Sequence, residues 1–170
     1  DEENLYLGNL VSFNSKLNKL TLSEKESIFY NIITNNSKKT TLDIPCDNKI
    51  FTIEVQDIKT KFNWNKNIFT IDTKSLGKLK EYNCDYNLNS KDATNKLNIL
   101  TNDYIKSNIN NLINKMKENK NDFIGIGNYI YKKDKNYFDF ENKNWDDNLK
   151  NIKIKVKTNT KINSSGEIRK

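Results

Sequence analysis

Hydrophobic and polar residues alternate in two regimes along this chain. From Leu5 to Tyr86 apolar residues recur mostly every second position. The first candidate strand, Leu5 to Asn14, carries Leu5, Leu7, Leu10, Val11 and Phe13, and Leu17 to Leu20 can pair back across an Asn-Ser-Lys turn. Thr21-Leu22-Ser23-Glu24 fits a capping box, a hydroxyl at the N-cap with Glu three residues on, and opens a helix over Leu22 to Ile33 with Ile28, Phe29, Ile32 and Ile33 on one face. Lys39 to Cys46 reads as a strand that Pro45 pushes to a sheet edge. Asp47-Asn48 suits a hairpin, and Ile50 to Lys59 returns with Phe51, Ile53 and Val55 inward and a bulge at Asp57-Ile58. Phe62 to Asn65 then reads as a polar turn around Trp64. Ile68 to Thr73 and Leu76 to Tyr86 continue an antiparallel meander, weakened at Gly77.

The period changes at Ser90, a candidate cap. Leu97, Leu100, Tyr104, Ile105, Ile109, Leu112, Ile113 and Met116 recur every three or four residues, predicting a long amphipathic helix out to Asn119 whose stripe covers a sheet and whose Asn-rich face is solvated. Asp122 can cap a second helix, Phe123 to Lys133, with Gly125 and Gly127 inside it, each costing about 1 kcal/mol relative to Ala. Tyr137 to Leu149 is a further helical piece. Asn151 to Ile162 closes the sheet, with Ile152, Ile154 and Val156 on one face and Lys153, Lys155 and Lys157 on the other. The pattern predicts an α+β fold: a mainly antiparallel sheet with one long amphipathic helix and two or three shorter helices packed on it. Residues 1–170 read as a single domain cut from a longer protein. The predicted bridge between helix layer and sheet is Leu97, Leu100, Tyr104, Leu112, Ile113, Trp145, Ile152, Ile154 and Val156.

Composition changes this picture in three ways. Asn, Lys, Ile, Tyr and Phe are all over-used, which fits an AT-rich coding bias, so polarity by itself says little about mechanism. The net charge of +7 is spread along the chain without a dense basic block, and a solvated face is its simplest reading. Lys153, Lys155 and Lys157 on one strand face still allow contact with anionic lipid or nucleic acid, although this strand lacks the aromatics that single-stranded RNA readers stack on. No apolar run is long enough to span a bilayer.

The inventory argues against catalysis. The chain has no His, which removes the commonest general base and the Ser-His and Cys-His nucleophile pairs. The carboxylate neighbours Asp146-Asp147, Asp139/Glu141 and Glu24/Glu26 fit caps and helix surfaces rather than an acid–base pair. No serine lies in a nucleophile elbow, and no calcium-loop spacing exists. Gly125-Ile126-Gly127 follows a helix rather than a strand and lacks the third glycine of a dinucleotide fingerprint. No cofactor or metal is expected. Cys46 and Cys84 have no motif spacing and read as two thiols, with pairing left open. The aromatic set Tyr129, Tyr131, Tyr137, Phe138, Phe140 and Trp145 fits core packing, with part of it available as a partner surface.

The run Asp122-Phe123-Ile124-Gly125-Ile126-Gly127-Asn128-Tyr129, then Lys132-Lys133, Asn144-Trp145-Asp146 and the alternating strand ending Lys161-Ile162 with Ser165-Gly166 resembles the C-terminal domain of the Ger(x)C family, the C subunits of spore-germination nutrient receptors. Upstream, Leu10 to Leu17, the capped Thr21 to Glu26 segment and the strand ending Pro45-Cys46 resemble the same family in order, so the likeness covers Leu7 to Gly166. The chain departs from the family pattern at Asn128, where Glu is usual, at Ile124 and Ile126, where Phe is usual, and in having one Trp in a region where two are common. The resemblance implies a non-catalytic lipoprotein on the outer face of the spore inner membrane. Its lipidated N-terminal Cys is absent from this chain. Its implied partners are integral-membrane A and B subunits, and no nucleic acid is expected. On the family motif, Gly125, Gly127, Asn128, Trp145 and Asp146 are the candidate structural or interface residues.

Overall fold

A computed structural model describes residues 10–13, 19–85, 91–141 and 145–163. A four-stranded sheet carries the fold, built from β3 (Lys39–Cys46), β4 (Lys49–Asn65), β5 (Ile68–Tyr82) and β6 (Lys153–Asn163) in that spatial order. A two-stranded ribbon, β1 (Val11–Phe13) with β2 (Lys19–Thr21), precedes α1 (Glu24–Ile33). After β5 come α2 (Lys91–Glu118), α3 (Ile126–Lys133), α4 (Lys135–Glu141) and α5 (Trp145–Asn148), and a 3-10 turn over Leu149–Asn151 leads into β6. The expected cap at Ser90 and the expected strand residues Leu5 to Asn9 lie outside the described residues.

The α+β prediction holds, with specific corrections. The first is the capping box, which sits two residues later than predicted. Ser23 Oγ accepts from the Glu26 N–H at 3.3 Å, and the Glu26 carboxylate accepts from the Ser23 N–H at 2.7 Å. Thr21 is instead the last residue of β2, and its carbonyl accepts from Lys115 Nζ. Glu26 also ion-pairs with Lys115 at 2.7 Å, tying α1 to α2. Burial raises its carboxyl pKa, but Lys115 and the Ser23 N–H and hydroxyl outweigh that, leaving it below the ordinary value.

The second correction concerns β4. Residues 62–65 are strand, not turn. The bulge at Asp57, whose φ of 54° is left-handed, shifts the alternation by one. Ile58, Thr60, Phe62 and Trp64 therefore share the inward face that Phe51, Ile53 and Val55 occupy before it. The turn falls at Lys66-Asn67, both at positive φ, which suits a two-residue hairpin. Pro45 lies on β3 at the sheet edge, as expected. Gly77 sits inside one continuous β5, where a Cβ would come within 3.0 Å of Ile162 and 3.1 Å of Ile53, so its missing side chain lets β6 pack close.

The third is β6, which runs parallel to β5 rather than extending the antiparallel meander. Its inward residues Val156 and Ile162 are buried, as is Ile152 just before the strand, while Lys153, Lys155 and Lys157 are exposed, as the alternation requires. The Asn-rich side of α2 is not simply solvated. Asn102 Oδ1 accepts from the Thr160 N–H at 2.8 Å, and Asn102 Nδ2 donates to the Thr160 carbonyl at 3.1 Å. Asn98 Oδ1 accepts from the Ile162 N–H at 2.8 Å. These amides occupy the free edge of β6, which would otherwise offer unpaired backbone groups to another chain. Asn35 does the same for β4, exchanging two hydrogen bonds with the Thr60 backbone at 2.7 and 2.9 Å.

The core lies between one sheet face and the helices. Phe51, Ile53, Phe69 and Ile71 meet Phe29, Ile33, Ile105 and Ile109, all nearly sealed from solvent. Of the predicted bridge residues, Leu97, Leu112, Ile113, Ile152 and Val156 are buried, whereas Leu100, Tyr104, Trp145 and Ile154 are only half-buried against the core. The cysteines are also corrected: Cys46 and Cys84 form a disulfide spanning 38 residues, with Cα atoms 5.9 Å apart. Cys46 ends an edge strand and Cys84 follows β5, and the antiparallel pairing of β3, β4 and β5 brings both to the same end of the sheet.

Candidate functional site

The family-motif residues converge where α2 hands over to the short helices. Asp122, predicted as the N-cap of a helix starting at Phe123, serves the helix N-terminus from three residues upstream of the N-cap position, and the helix begins instead at Ile126, with Gly125 at that position. The reason is Gly125, whose φ of 82° is left-handed and breaks the helical path before it starts. Gly125 is thus an N-cap, not a helix-interior cost. Asp122 reaches across this turn. Its Oδ1 accepts from the N–H groups of Gly125 at 3.1 Å and Ile126 at 2.8 Å, and its Oδ2 accepts from the Gly127 N–H at 2.7 Å. Three donors at the α3 N-terminus are satisfied by one carboxylate.

The same Oδ2 accepts from the Trp145 indole N–H at 3.1 Å. The indole lies against Gly127 so closely that a Cβ there would stand 2.7 to 2.9 Å from three of its ring atoms. Gly127 is glycine because Trp145 occupies its side-chain space. Burial pushes the Asp122 carboxyl above its usual range, and the N–H groups of Gly127, Ile126, Trp145 and Gly125 pull the other way. Phe138 packs against the indole, centroids 5.4 Å apart.

A second carboxylate repeats the arrangement, and sequence reasoning missed it. Asp134 follows α3 and precedes α4. Its Oδ1 accepts from the Tyr137 N–H at 3.1 Å, and its Oδ2 accepts from the Trp64 indole N–H at 3.2 Å. Trp64 packs against Tyr137 in a tilted contact with centroids 4.8 Å apart. The signal was present as an Asp three residues before an aromatic pair, but reading residues 62–65 as a turn removed Trp64 from the sheet face. Tyr129 completes the seating of α3 on the sheet. Its hydroxyl donates to the Phe62 carbonyl at 2.7 Å, and its ring meets Phe62 and Phe69 edge-on.

Of the five motif residues, the structure brings Gly125, Gly127 and Trp145 together around Asp122. Asn128, in the first turn of α3, is exposed. Asp146 is half-buried at the start of α5 and adds to the field that, behind the Asp147 ion pair, holds Lys120 protonated above its usual range. Within the aromatic set, Tyr131 remains exposed while Tyr129, Tyr137 and Phe138 pack on the core, and the Phe140 side chain lies outside the described residues. Asp139/Glu141 lie outside them in the same sense. Lys117 reaches over to donate to the Ile152 carbonyl at 2.6 Å, and burial lowers its pKa.

Chemically, these groups fix two helix starts and two indoles. Asp122 has four donors on two oxygens, so little of it is left for a substrate. Among the described residues no group of three or more His, Cys, Asp or Glu side chains is placed to hold a metal ion. A cavity of about 120 Å³ between the β1–β2 ribbon and α1, lined by Val11, Leu22, Tyr30 and Phe123, is well below the roughly 300–1,000 Å³ of ligand pockets, and a larger depression of about 340 Å³, lined by Asp57, Lys74, Ser75, Leu76, Asn159 and Lys161, is open to solvent. No helix among the described residues is long and apolar enough to cross a membrane.

The two glycines respond differently to a methyl group. A Cβ on Gly125 meets nothing within 4 Å, so Gly125→Ala carries only the left-handed backbone penalty. An equilibrium urea titration should show a loss of about 1–2 kcal/mol. An unchanged midpoint would mean that the turn relaxes to negative φ.

Residues 10–166 match the family described as spore germination B3/GerAC like, C-terminal. The fold is similar to that solved in "Crystal Structure of the GerBC protein", at a TM-score of 0.70 and 18% identity. That alignment covers 92% of this chain and 56% of the GerBC chain, so the chain spans a little over half of that protein's length. No curated protein matches the sequence.

Proposed function

The chain belongs to the spore germination GerAC-like C-terminal family, and from that premise we propose that it is a non-catalytic domain of the C subunit of a spore nutrient germinant receptor. In this reading residues 1–170 are one domain of a longer lipoprotein, anchored through a lipid upstream of this chain to the outer face of the spore inner membrane. Its partners are the integral-membrane A and B subunits, and its task is receptor assembly or signalling. The observation that carries the proposal is the family match across nearly the whole chain, together with what the motif residues do. Gly125, Gly127 and Trp145 build a rigid helix corner and leave Asn128 exposed at its surface, an arrangement suited to presenting a contact face rather than binding a substrate. The disulfide adds support, because structural disulfides persist chiefly outside the reducing cytosol. The lack of any His supports a non-catalytic role.

The test is nutrient-triggered dipicolinic acid release from spores lacking only this domain, with the A and B subunits quantified in the inner membrane. Loss of response with loss of A and B is the result expected of an assembly role. Loss of response at normal A and B levels assigns signalling. A normal response in spores with no second receptor for that nutrient would overturn the proposal.

A further inference from the structure

The sheet has helices on one face only. Among the described residues, nothing packs on the other, and its outward positions are dominated by lysines from three strands. β6 contributes Lys153, Lys155, Lys157 and Lys161, all exposed. The register sets Lys157 beside Asp72 of β5, and Asp72 beside Lys61 of β4. Lys59 and Lys74 are direct cross-strand partners. Like charges placed opposite each other cost stability, so this pair is not there to hold the sheet together. Carboxylates are fewer: Glu54 is already held by Lys39 at 2.8 Å and Lys80 at 3.3 Å, Asp72 is flanked by two lysines, and Asp57 lies beside the depression that Lys74 and Lys161 line. None of the β6 lysines, nor Lys59, Lys61 or Lys74, forms an ion pair among the described residues. Much of the chain's net +7 is therefore concentrated on one broad face, which the sequence, with its scattered lysines, does not display.

We propose that this open face of β4, β5 and β6 docks on an anionic bilayer surface. Lys74 and Lys161 line a shallow depression, but the other lysines are spread over the extended sheet face beyond it, which fits a plane of headgroups. Nucleic acid fits less well. The aromatic residues Phe62, Trp64 and Phe69 all pack toward the helices, leaving the lysine face without a ring for a base to stack on. A basic segment at an anionic leaflet gains about fivefold in binding per lysine and is released by salt. The inference goes beyond the receptor reading and rests on it only for which membrane the face would meet. Binding by the isolated chain tests the charge argument whether or not receptor assembly fails.

The experiment is co-sedimentation of the 170-residue chain with phosphatidylcholine vesicles, with and without phosphatidylglycerol. Association is expected only with the anionic vesicles, at low ionic strength, and should vanish toward 1 M salt, where the Debye length falls to about 3 Å. The triple change Lys153→Gln, Lys155→Gln and Lys157→Gln should lower partitioning on the order of 100-fold. An equal charge change on the helical side, Lys106→Gln, Lys132→Gln and Lys133→Gln, should lower it by about fivefold or less. The double change Lys59→Gln and Lys74→Gln removes a like-charge pair, so it should fold at least as stably as the parent and still bind more weakly. No association with anionic vesicles at low salt, an equal loss in both triple variants, or tighter binding to single-stranded DNA than to vesicles would each overturn the proposal.

Discussion

Gly127→Ala is expected to destabilise the protein by about 2–3 kcal/mol, lowering Tm by roughly 5–10 °C. The sign is the point. Gly127 lies in the first turn of α3, where Ala would ordinarily gain up to about 1 kcal/mol over Gly. That gain is overridden because the new Cβ would lie 2.7 Å from Trp145 Cε2 and 2.8 Å from its Nε1. The indole is not a free side-chain end that swings aside at little cost. Its N–H is held by Asp122 and its ring packs on Phe138. Moving it strips a donor from a carboxylate that is mostly buried and opens a gap beside Phe138. Tryptophan emission should shift to the red as Trp145 meets water. Trp145→Ala, which removes the ring instead, should destabilise to a similar degree, and the double variant should cost little more than either single change. A Tm for Gly127→Ala at or above that of the parent would show that the indole does not occupy the space beside this glycine.

The Trp145–Gly127 contact marks the limit of what the sequence made legible. The two periodicities were readable because burial on one face forces them: alternation through β3, β4 and β5, and the stripe of Leu97 to Met116 along α2. Helix starts were readable in kind but not in register. Ser23 and Thr21 both offer a hydroxyl with Glu three residues on, and only the three-residue β2 ending at Thr21 decides between them. Gly125 and Gly127 looked equivalent, yet one is glycine for its backbone angle and the other for a ring brought from 18 residues away, and the latter contact is long-range and leaves no local pattern. The bulge at Asp57 was visible, but its consequence, that Trp64 faces the helices, needed the new phase carried to the end of the strand. Asparagine was the most misleading residue. Its abundance reads as coding bias, yet Asn35, Asn98 and Asn102 spend their amides on strand backbones that have no other partner on that side. The parallel placement of β6 was illegible for a related reason: alternation gives a strand's faces, not its direction or neighbour.

Breaking the Cys46–Cys84 bond is expected to have the largest effect, about 4 kcal/mol. The estimate follows from loop closure: a cross-link spanning 38 residues removes that much chain entropy from the unfolded state in the usual loop-length relation. The location increases its leverage on the native state as well. Cys84 opens the connection from β5 to α2, and both sulfurs are buried, with Cys46 only 2% exposed. The neighbouring Lys49–Asp85 ion pair is exposed and adds little on its own. Without the bond, the start of this connection depends on the half-buried Tyr82 and on backbone pairing such as the Asn83 N–H to the Ile50 carbonyl at 3.2 Å. Urea titrations of the oxidised chain, the chain with reductant, and Cys46→Ala/Cys84→Ala should separate two contributions. Reduction removes the cross-link and leaves two thiols in the core. The double alanine also leaves space where the sulfurs were, so it should be the less stable by about 1 kcal/mol. If reductant left the midpoint unchanged while thiol titration found two free cysteines in the untreated protein, the bond would be absent in solution, and its support for a location outside the cytosol would go with it.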